Sequence, residues 1–186
     1  MIIDILRGLA YLHSNNMYHG DVKLENIVFK VIDNVSTFKL TDFESISPGF
    51  TADMTFGTAS HYPNEYLDKG FKIITRDLSK HIIDNWEYYS TNGVPVDKRK
   101  QRRDLFAFGF SLLEIANSRS NYKFKSAGAL RKHFKCWNHG YTTVDLYRFT
   151  LFNVPKFNKL LSRLLSCGPI DMTINQIINE FNEYLL

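Results

Sequence analysis

The first apolar positions of the chain, Ile2, Ile5, Leu6, Leu9 and Leu12, recur at intervals that place them on one face of a helix. The pattern predicts a helix over about 2 to 15, ended by the Asn15-Asn16 pair. Two short runs rich in β-formers follow, "NIVFKV" and "TFKLT", separated by "IDNVS", whose Asp-Asn pair favours a turn. A hairpin over roughly 27 to 41 is expected. The stretch "DFESISPGFTADMTFGTASHYPNEYL" has no sustained period and several turn residues, so it reads as a long loop rather than a core element. Further on, "SKHIIDNWEYY" is compatible with a short helix, and "STNGVPVDKRKQRR" reads as an exposed loop.

The remainder is helical in pattern. "RDLFAFGFSLLEIANS" is apolar all round, which predicts a buried central helix with Asp104 placed to cap its start. "SAGALRKHFKCW", "PKFNKLLSRLLS" and "TINQIINEFNEYLL" are amphipathic. Pro155 suits a first helical turn, and Thr173 an N-cap ahead of Ile174, Ile177, Ile178 and Phe181. The sum is one helix-rich domain, mainly α with a minor β hairpin.

Composition narrows this picture little. A chain of 186 residues with 44% hydrophobic content is long enough to bury a core of its own. Cys136 and Cys167 make neither a disulfide framework nor a zinc pattern, which leads us to expect a reduced, intracellular setting, cytoplasmic or nuclear. Asp4 and Arg7 interrupt the apolar N-terminal stretch, so neither a signal peptide nor a membrane span is expected there. The net charge of +4 is concentrated in "DKRKQRRD", where Lys98, Arg99, Lys100, Arg102 and Arg103 crowd together. Such a run reads first as a solvated loop; without interleaved aromatics it is weak support for nucleic-acid binding, and no nucleic-acid or membrane partner is expected.

The candidate chemistry lies in "YHGDVKLENIVF", residues 18–29, together with Asp42. Phosphoryl transfer needs a hydroxyl oriented by an acceptor, developing charge neutralised, and magnesium held by oxygen ligands. Asp21 is the residue type to accept the hydroxyl proton and Lys23 to neutralise the transferring group, while Asn26 and Asp42 supply metal-binding oxygens. The hairpin between Asn26 and Asp42 would return the chain to its starting edge and bring the two together.

The order His19-x-Asp21-x-Lys23-x-x-Asn26, a hairpin, then Asp42-Phe43, resembles the catalytic loop and magnesium-binding motif of eukaryotic-type protein kinases. "YLHSNNMYHGD" resembles the helix leading into that loop, and "GTASHYPNE" the end of the activation segment. Asp104 with Gly109 resembles the Asp-x4-Gly of the central helix, and "LLSRLLSCGP" the penultimate helix of the large lobe. Lys23, two residues after Asp21, is the serine/threonine form.

The resemblance implies a kinase-like C-terminal lobe (α+β) over residues 1–186, with catalytic loop 18–29, activation segment 42–65 and an insertion at 66–103. It implies ATP and Mg2+ as cofactors: Asp21 as base, Lys23 beside it, Asn26 and Asp42 as metal ligands, and Val28 in the floor of the adenine site. His19 is implied to be a packed histidine under Phe43, and Asp104 a partner of the catalytic-loop backbone. The glycine-rich loop and strand lysine of the N-terminal lobe are not found in these residues, so turnover by this lobe alone is expected to fall by orders of magnitude. The partners implied are a protein substrate, a partner kinase, or an N-lobe supplied in trans. The other reading is a catalytically dead lobe mimic that binds and regulates a kinase or its substrate. Some large DNA viruses carry divergent or truncated kinases of this kind, which makes a viral source one reading.

Several positions depart from the family pattern. Gly20 stands where many kinases carry an arginine that reads a phosphorylated activation loop, so that switch is expected to be missing. Glu44 replaces the glycine after Asp42-Phe43, His61 a tyrosine and Asn64 a proline, and Met172 lies where an arginine partner of Glu65 would be. The insertion, with the basic run at its end, is the expected place for a private partner.

Overall fold

A computed structural model describes residues 1–48, 58–63, 96–119, 124–133, 155–165 and 172–185. Most of the 66–103 insertion, the helix read from "SKHIIDNWEYY", both cysteines, Asn64 and Glu65 lie outside the described residues.

Helix α1 (Ile2–Ser14) leads into β1 (Met17–Tyr18), a 3-10 turn (Leu24–Asn26), then β2 (Ile27–Ile32) and β3 (Val35–Leu40). A second 3-10 turn (Phe43–Ser45), β4 (Ser47–Pro48) and a third turn (Ala59–His61) precede helices α2 (Val96–Arg119), α3 (Ala127–His133), α4 (Pro155–Leu165) and α5 (Ile174–Leu185). The described residues are mainly helical, as the pattern predicted. The expected hairpin is present as the antiparallel pair β2–β3, running from Ile27 opposite Leu40 to Ile32 opposite Val35. Its two-residue turn, Asp33-Asn34, has φ of 49° and 62°, the left-handed conformation at both positions that lets a tight turn follow the strands' twist. A second small pair, β1 with β4, sets Met17 opposite Pro48 and Tyr18 opposite Ser47; two residues per strand leave no periodic signal from which to read it.

The core forms around α2, whose Leu105, Phe108, Phe110, Leu112, Leu113 and Ala116 are buried, in keeping with an apolar pattern on every side. Helix α4 crosses α2 at Gly109, where a Cβ would come within 2.9 Å of the Leu164 Cβ; only glycine allows the two helices this approach. Phe157 of α4 meets Phe181 of α5 edge to face at 5.1 Å, and Ile5, Leu6 and Leu9 of α1 complete the cluster. Thr173 caps α5 as expected, by a reciprocal arrangement: Gln176 N–H donates to Thr173 Oγ1 at 3.3 Å, and Thr173 N–H donates to Gln176 Oε1 at 2.8 Å.

Two expectations are corrected. Helix α2 begins at Val96, not at Asp104, so Asp104 sits inside the helix and is no cap. The basic run therefore forms the first turns of a helix rather than a solvated loop, and Lys100, Arg102 and Arg103 are buried. What a charge run alone does not disclose is the acceptor waiting for it. Lys100 Nζ donates to the Pro48 carbonyl and Arg102 Nη1 to the Leu164 carbonyl at 2.7 Å. The Arg102 and Arg103 guanidinium groups lie 5.2 Å from the ring centres of Phe106 and Tyr62. Long cationic side chains are accommodated in this way when apolar stems pack and charged heads find carbonyls and ring faces.

Candidate active site

The loop after α1 is fixed from below by a single carboxylate. Asp104, 1% exposed, accepts the His19 backbone N–H at Oδ2 and the Gly20 backbone N–H at Oδ1, each at 2.9 Å. The His13 ring adds a third bond, Nε2 to Oδ2 at 3.0 Å. The loop contact that the resemblance implied for Asp104 is thus present, supplied from mid-helix. Burial pushes the Asp104 carboxyl up, but the His13 hydrogen bond, the charges of His13 and Arg103, and the Gly20 N–H outweigh it and hold the group below its ordinary value of 3.8.

Above this anchor the loop turns sharply. Gly20 has φ of 83°, and a Cβ there would fall 2.6 Å from both Arg103 Nη2 and the Ser45 carbonyl oxygen, so glycine is required by backbone and by space alike. His19 is fully buried and packs against Phe43 with ring centres 5.3 Å apart, the packed role expected of it. Its Nε2 donates to the Thr41 carbonyl at 3.0 Å and its Nδ1 accepts the Asp21 N–H at 3.3 Å, which uses both ring nitrogens for structure.

Asp21, Lys23 and Asn26 converge. Lys23 Nζ donates to Asp21 Oδ2 at 2.6 Å, and Asn26 Nδ2 donates to the Asp21 carbonyl at 2.8 Å and to Oδ2 at 3.2 Å. Thr58, sixteen residues beyond Asp42, closes the group: its N–H donates to Asp21 Oδ1 at 2.8 Å and its Oγ1 accepts from Lys23 Nζ at 3.0 Å. Burial raises the Asp21 carboxyl, while the Lys23 and Thr58 hydrogen bonds and the Lys23 charge lower it further, leaving the group below its ordinary value and anionic at neutral pH. An anionic oxygen in a fixed orientation can accept the hydrogen of a hydroxyl and aim its lone pair.

The hairpin delivers Asp42 as its topology requires. The Thr41 N–H donates to the Asn26 carbonyl at 2.9 Å, one step beyond the last cross-strand pair, so Asp42 emerges beside Asn26. Asp42 adopts the left-handed conformation, φ 62° and ψ 72°, a backbone state aspartate tolerates better than most residues. Val28 is the second residue of β2, 50% exposed and opposite Lys39. Glu44 is exposed on the Phe43–Ser45 turn.

These oxygens suit a hard cation. Asn26 commits Nδ2 to Asp21, and among the described residues neither its Oδ1 nor the exposed Asp42 carboxylate has a hydrogen-bond partner. Among the described residues no group of three or more His, Cys, Asp or Glu forms a metal cluster. Magnesium does not need one, since one or two protein oxygens serve when phosphates and waters complete its octahedron.

Four contributors escaped the sequence reading. Thr58 and His13 lie inside the quoted motifs but carry no local signal that separates them from their neighbours. Arg103 and Lys100 were hidden by reading their charge as solvation. His61, where the resemblance implied a tyrosine, is buried against Phe110 at 5.0 Å between ring centres, and its Nε2 bonds Glu114 Oε2 at 2.9 Å. Met172 joins the apolar core, as a methionine in place of a charged residue should.

The family model described as "Protein kinase domain" matches residues 1–179. A probable serine/threonine-protein kinase, mkcB, of Dictyostelium discoideum is 33% identical over 116 residues, covering 62% of this chain and 12% of that protein. The MAP kinase kinase kinase win1 of Schizosaccharomyces pombe is 28% identical over 127 residues, covering 62% of this chain and 8% of its own length. Calcium-dependent protein kinase 6 of Plasmodium berghei is 49% identical over 77 residues, 39% of this chain and 5% of that protein. The matched regions are thus a small part of each relative.

Proposed function

Because this chain belongs to the protein kinase domain family, we propose that residues 1–186 are the C-terminal lobe of a serine/threonine kinase that transfers the ATP γ-phosphate to a protein hydroxyl. The observation that carries the reading is the closed hydrogen-bonded group of Asp21, Lys23, Asn26 and Thr58, with Asp42 brought to its edge. Asp21 accepts the hydrogen bond of the substrate hydroxyl and takes its proton as the oxygen attacks. Lys23, within hydrogen-bond reach of Asp21, neutralises charge on the transferring group and holds Asp21 in orientation. Asn26 Oδ1 and the Asp42 carboxylate would hold magnesium, which when bound with ATP shields the phosphate charge. Val28 contributes to the floor beneath the adenine.

The lobe reading has support from the hairpin. Val28, Ile32 and Val35 on one face of the hairpin, and Phe29 and Val31 on the other, are each at least half exposed, apolar side chains that stable folds normally cover. A glycine-rich lobe, on the same polypeptide or another, would cover them and add the phosphate-clamping lysine that these residues do not supply. The same exposed side chains suit the second reading, a lobe that binds a kinase or its substrate without chemistry.

Magnesium-dependent ATP binding and phosphorylation of a generic protein substrate by the purified chain, with and without an added kinase N-lobe, decide between them. We expect magnesium-dependent binding that weakens in Asp42→Asn and turnover that is lost in Asp21→Asn. No binding and no activity above these variants under either condition would leave only the non-catalytic reading.

A further inference from the structure

Arg103 stands where three parts of the site meet. It is 2% exposed, its guanidinium lies over the Tyr62 ring at 5.2 Å, and Nη2 is 2.6 Å from the point where a residue-20 Cβ would begin. The Ser45 carbonyl oxygen is equally close to that point. Tyr62 is gripped a second time, since Arg131 Nη2 donates to its carbonyl at 3.0 Å. Four residues before Tyr62, Thr58 makes its two bonds to the Asp21–Lys23 pair. One helical turn ahead of Asp104, Lys100 fastens Pro48, the other described end of the segment.

We propose that Arg103 is a positioning residue whose guanidinium, supplied by the central helix, fills the place left by Gly20 and clamps the described end of the activation segment onto the catalytic loop with no phosphate group required. The proposal rests on the kinase reading above, and specifies how that site is regulated: the segment is held by a built-in cation instead of by a modification. Two features of the surroundings support it. The adjacent Asp104 carboxylate supplies a counter-charge to Arg103 and the Tyr62 ring face stabilises the guanidinium further, so a buried phosphate is not needed for neutrality. Gly20 also cannot accept a side chain without displacing both Arg103 and the Ser45 backbone, so residue 20 and Arg103 compete for one space. Holding Tyr62 holds Thr58, and Thr58 orients the carboxylate of Asp21.

Hydrogen–deuterium exchange on the full chain tests this without requiring turnover. In Arg103→Met and in Tyr62→Leu the peptide spanning Thr58–Tyr62 should exchange about tenfold faster than in wild type, from loss of a desolvated cation–ring contact. Arg103→Lys, which keeps the charge but not the planar fork, should recover part of that protection. Peptides of α4 and α5 should be unchanged in all three, and phosphatase treatment of the wild-type chain should leave every rate as it was. Equal acceleration in α4 and α5, unchanged exchange at Thr58–Tyr62, or protection that disappears with phosphatase would each overturn the proposal. Should Arg103→Met fail to fold, Tyr62→Leu and Arg103→Lys still decide. Because exchange is read on the segment itself, absence of ATP binding would count against the kinase reading alone.

Discussion

Replacing Asp104 by asparagine changes one atom type and should cost a large part of the domain's stability. The carboxylate accepts three hydrogen bonds in a site 1% exposed, two of them from backbone N–H groups that have no rotational freedom to find another partner. Asparagine keeps one acceptor oxygen. In one orientation its NH2 faces the His19 N–H, and in the flipped orientation it faces the Gly20 N–H; either way a buried backbone donor meets a donor. Losing one charge-assisted bond and leaving that donor unsatisfied amounts to about 3–4 kcal/mol, where each contribution is roughly 1.5–3 kcal/mol and they partly overlap. Against a typical total of about 5–15 kcal/mol this is severe but measurable.

Urea unfolding followed by far-UV circular dichroism, at neutral and at acid pH, reads the effect. The Asp104 carboxyl is held below 3.8, so its contribution is complete above that value and is lost as pH falls through its folded value. Asparagine does not titrate, so the gap between wild type and Asp104→Asn should be widest at neutral pH and narrow below pH 3.8. A loss below about 1 kcal/mol at neutral pH would mean that water or a rearranged loop satisfies the two N–H groups, and the anchoring role would fall.

Gly109→Ala and Gly128→Ala should move in opposite directions in the same unfolding assay. The first drives a Cβ to 2.9 Å from Leu164 and should cost about 1–3 kcal/mol, while the second meets nothing nearer than Ser126 Oγ at 4.0 Å and should gain up to about 1 kcal/mol of helix propensity. Lys23→Met removes the hydrogen bond and charge that lower the Asp21 carboxyl; carboxyl 13C NMR should show its titration moving to higher pH, so the contribution Asp21 makes above its folded value is lost earlier on acidification. An unmoved titration would remove Lys23 as the cause. Thr173→Ala deletes the hydroxyl side of the α5 capping pair and should lower stability by about 1 kcal/mol, seen as a lower urea midpoint with an unchanged slope.

The parts of this fold that were legible in the sequence are those where local preference and global packing agree. The α1 stripe of Ile5, Leu6 and Leu9, the Asp33-Asn34 turn, and Thr173 ahead of Ile174 each announce themselves within a few residues, and each is found as expected. Asn26 and Asp42 are far apart in the chain, yet their approach was also foreseeable, because a hairpin has only one way to return. Thr58 was not foreseeable from local pattern. Its bonds to Asp21 and Lys23 join positions on opposite sides of a long aperiodic stretch, and nothing in the residues around it fixes how that stretch returns.

The start of α2 was misread for a different physical reason. Charge density is a reliable sign of solvent only when the neighbourhood offers no acceptors, and this neighbourhood is built from them. The Pro48 and Leu164 carbonyls, the faces of Tyr62 and Phe106, and the Asp104 carboxylate lie around Lys100, Arg102 and Arg103. The apolar reading of the same helix succeeded because hydrophobic burial is nondirectional and adds along the sequence. Cation burial depends instead on particular partners contributed by β4, α4 and the segment end. The glycine at residue 20 is the one local trace of this arrangement. A residue without a side chain, placed between a buried carboxylate's two N–H contacts and a basic helix, marks the spot where another element's side chain enters.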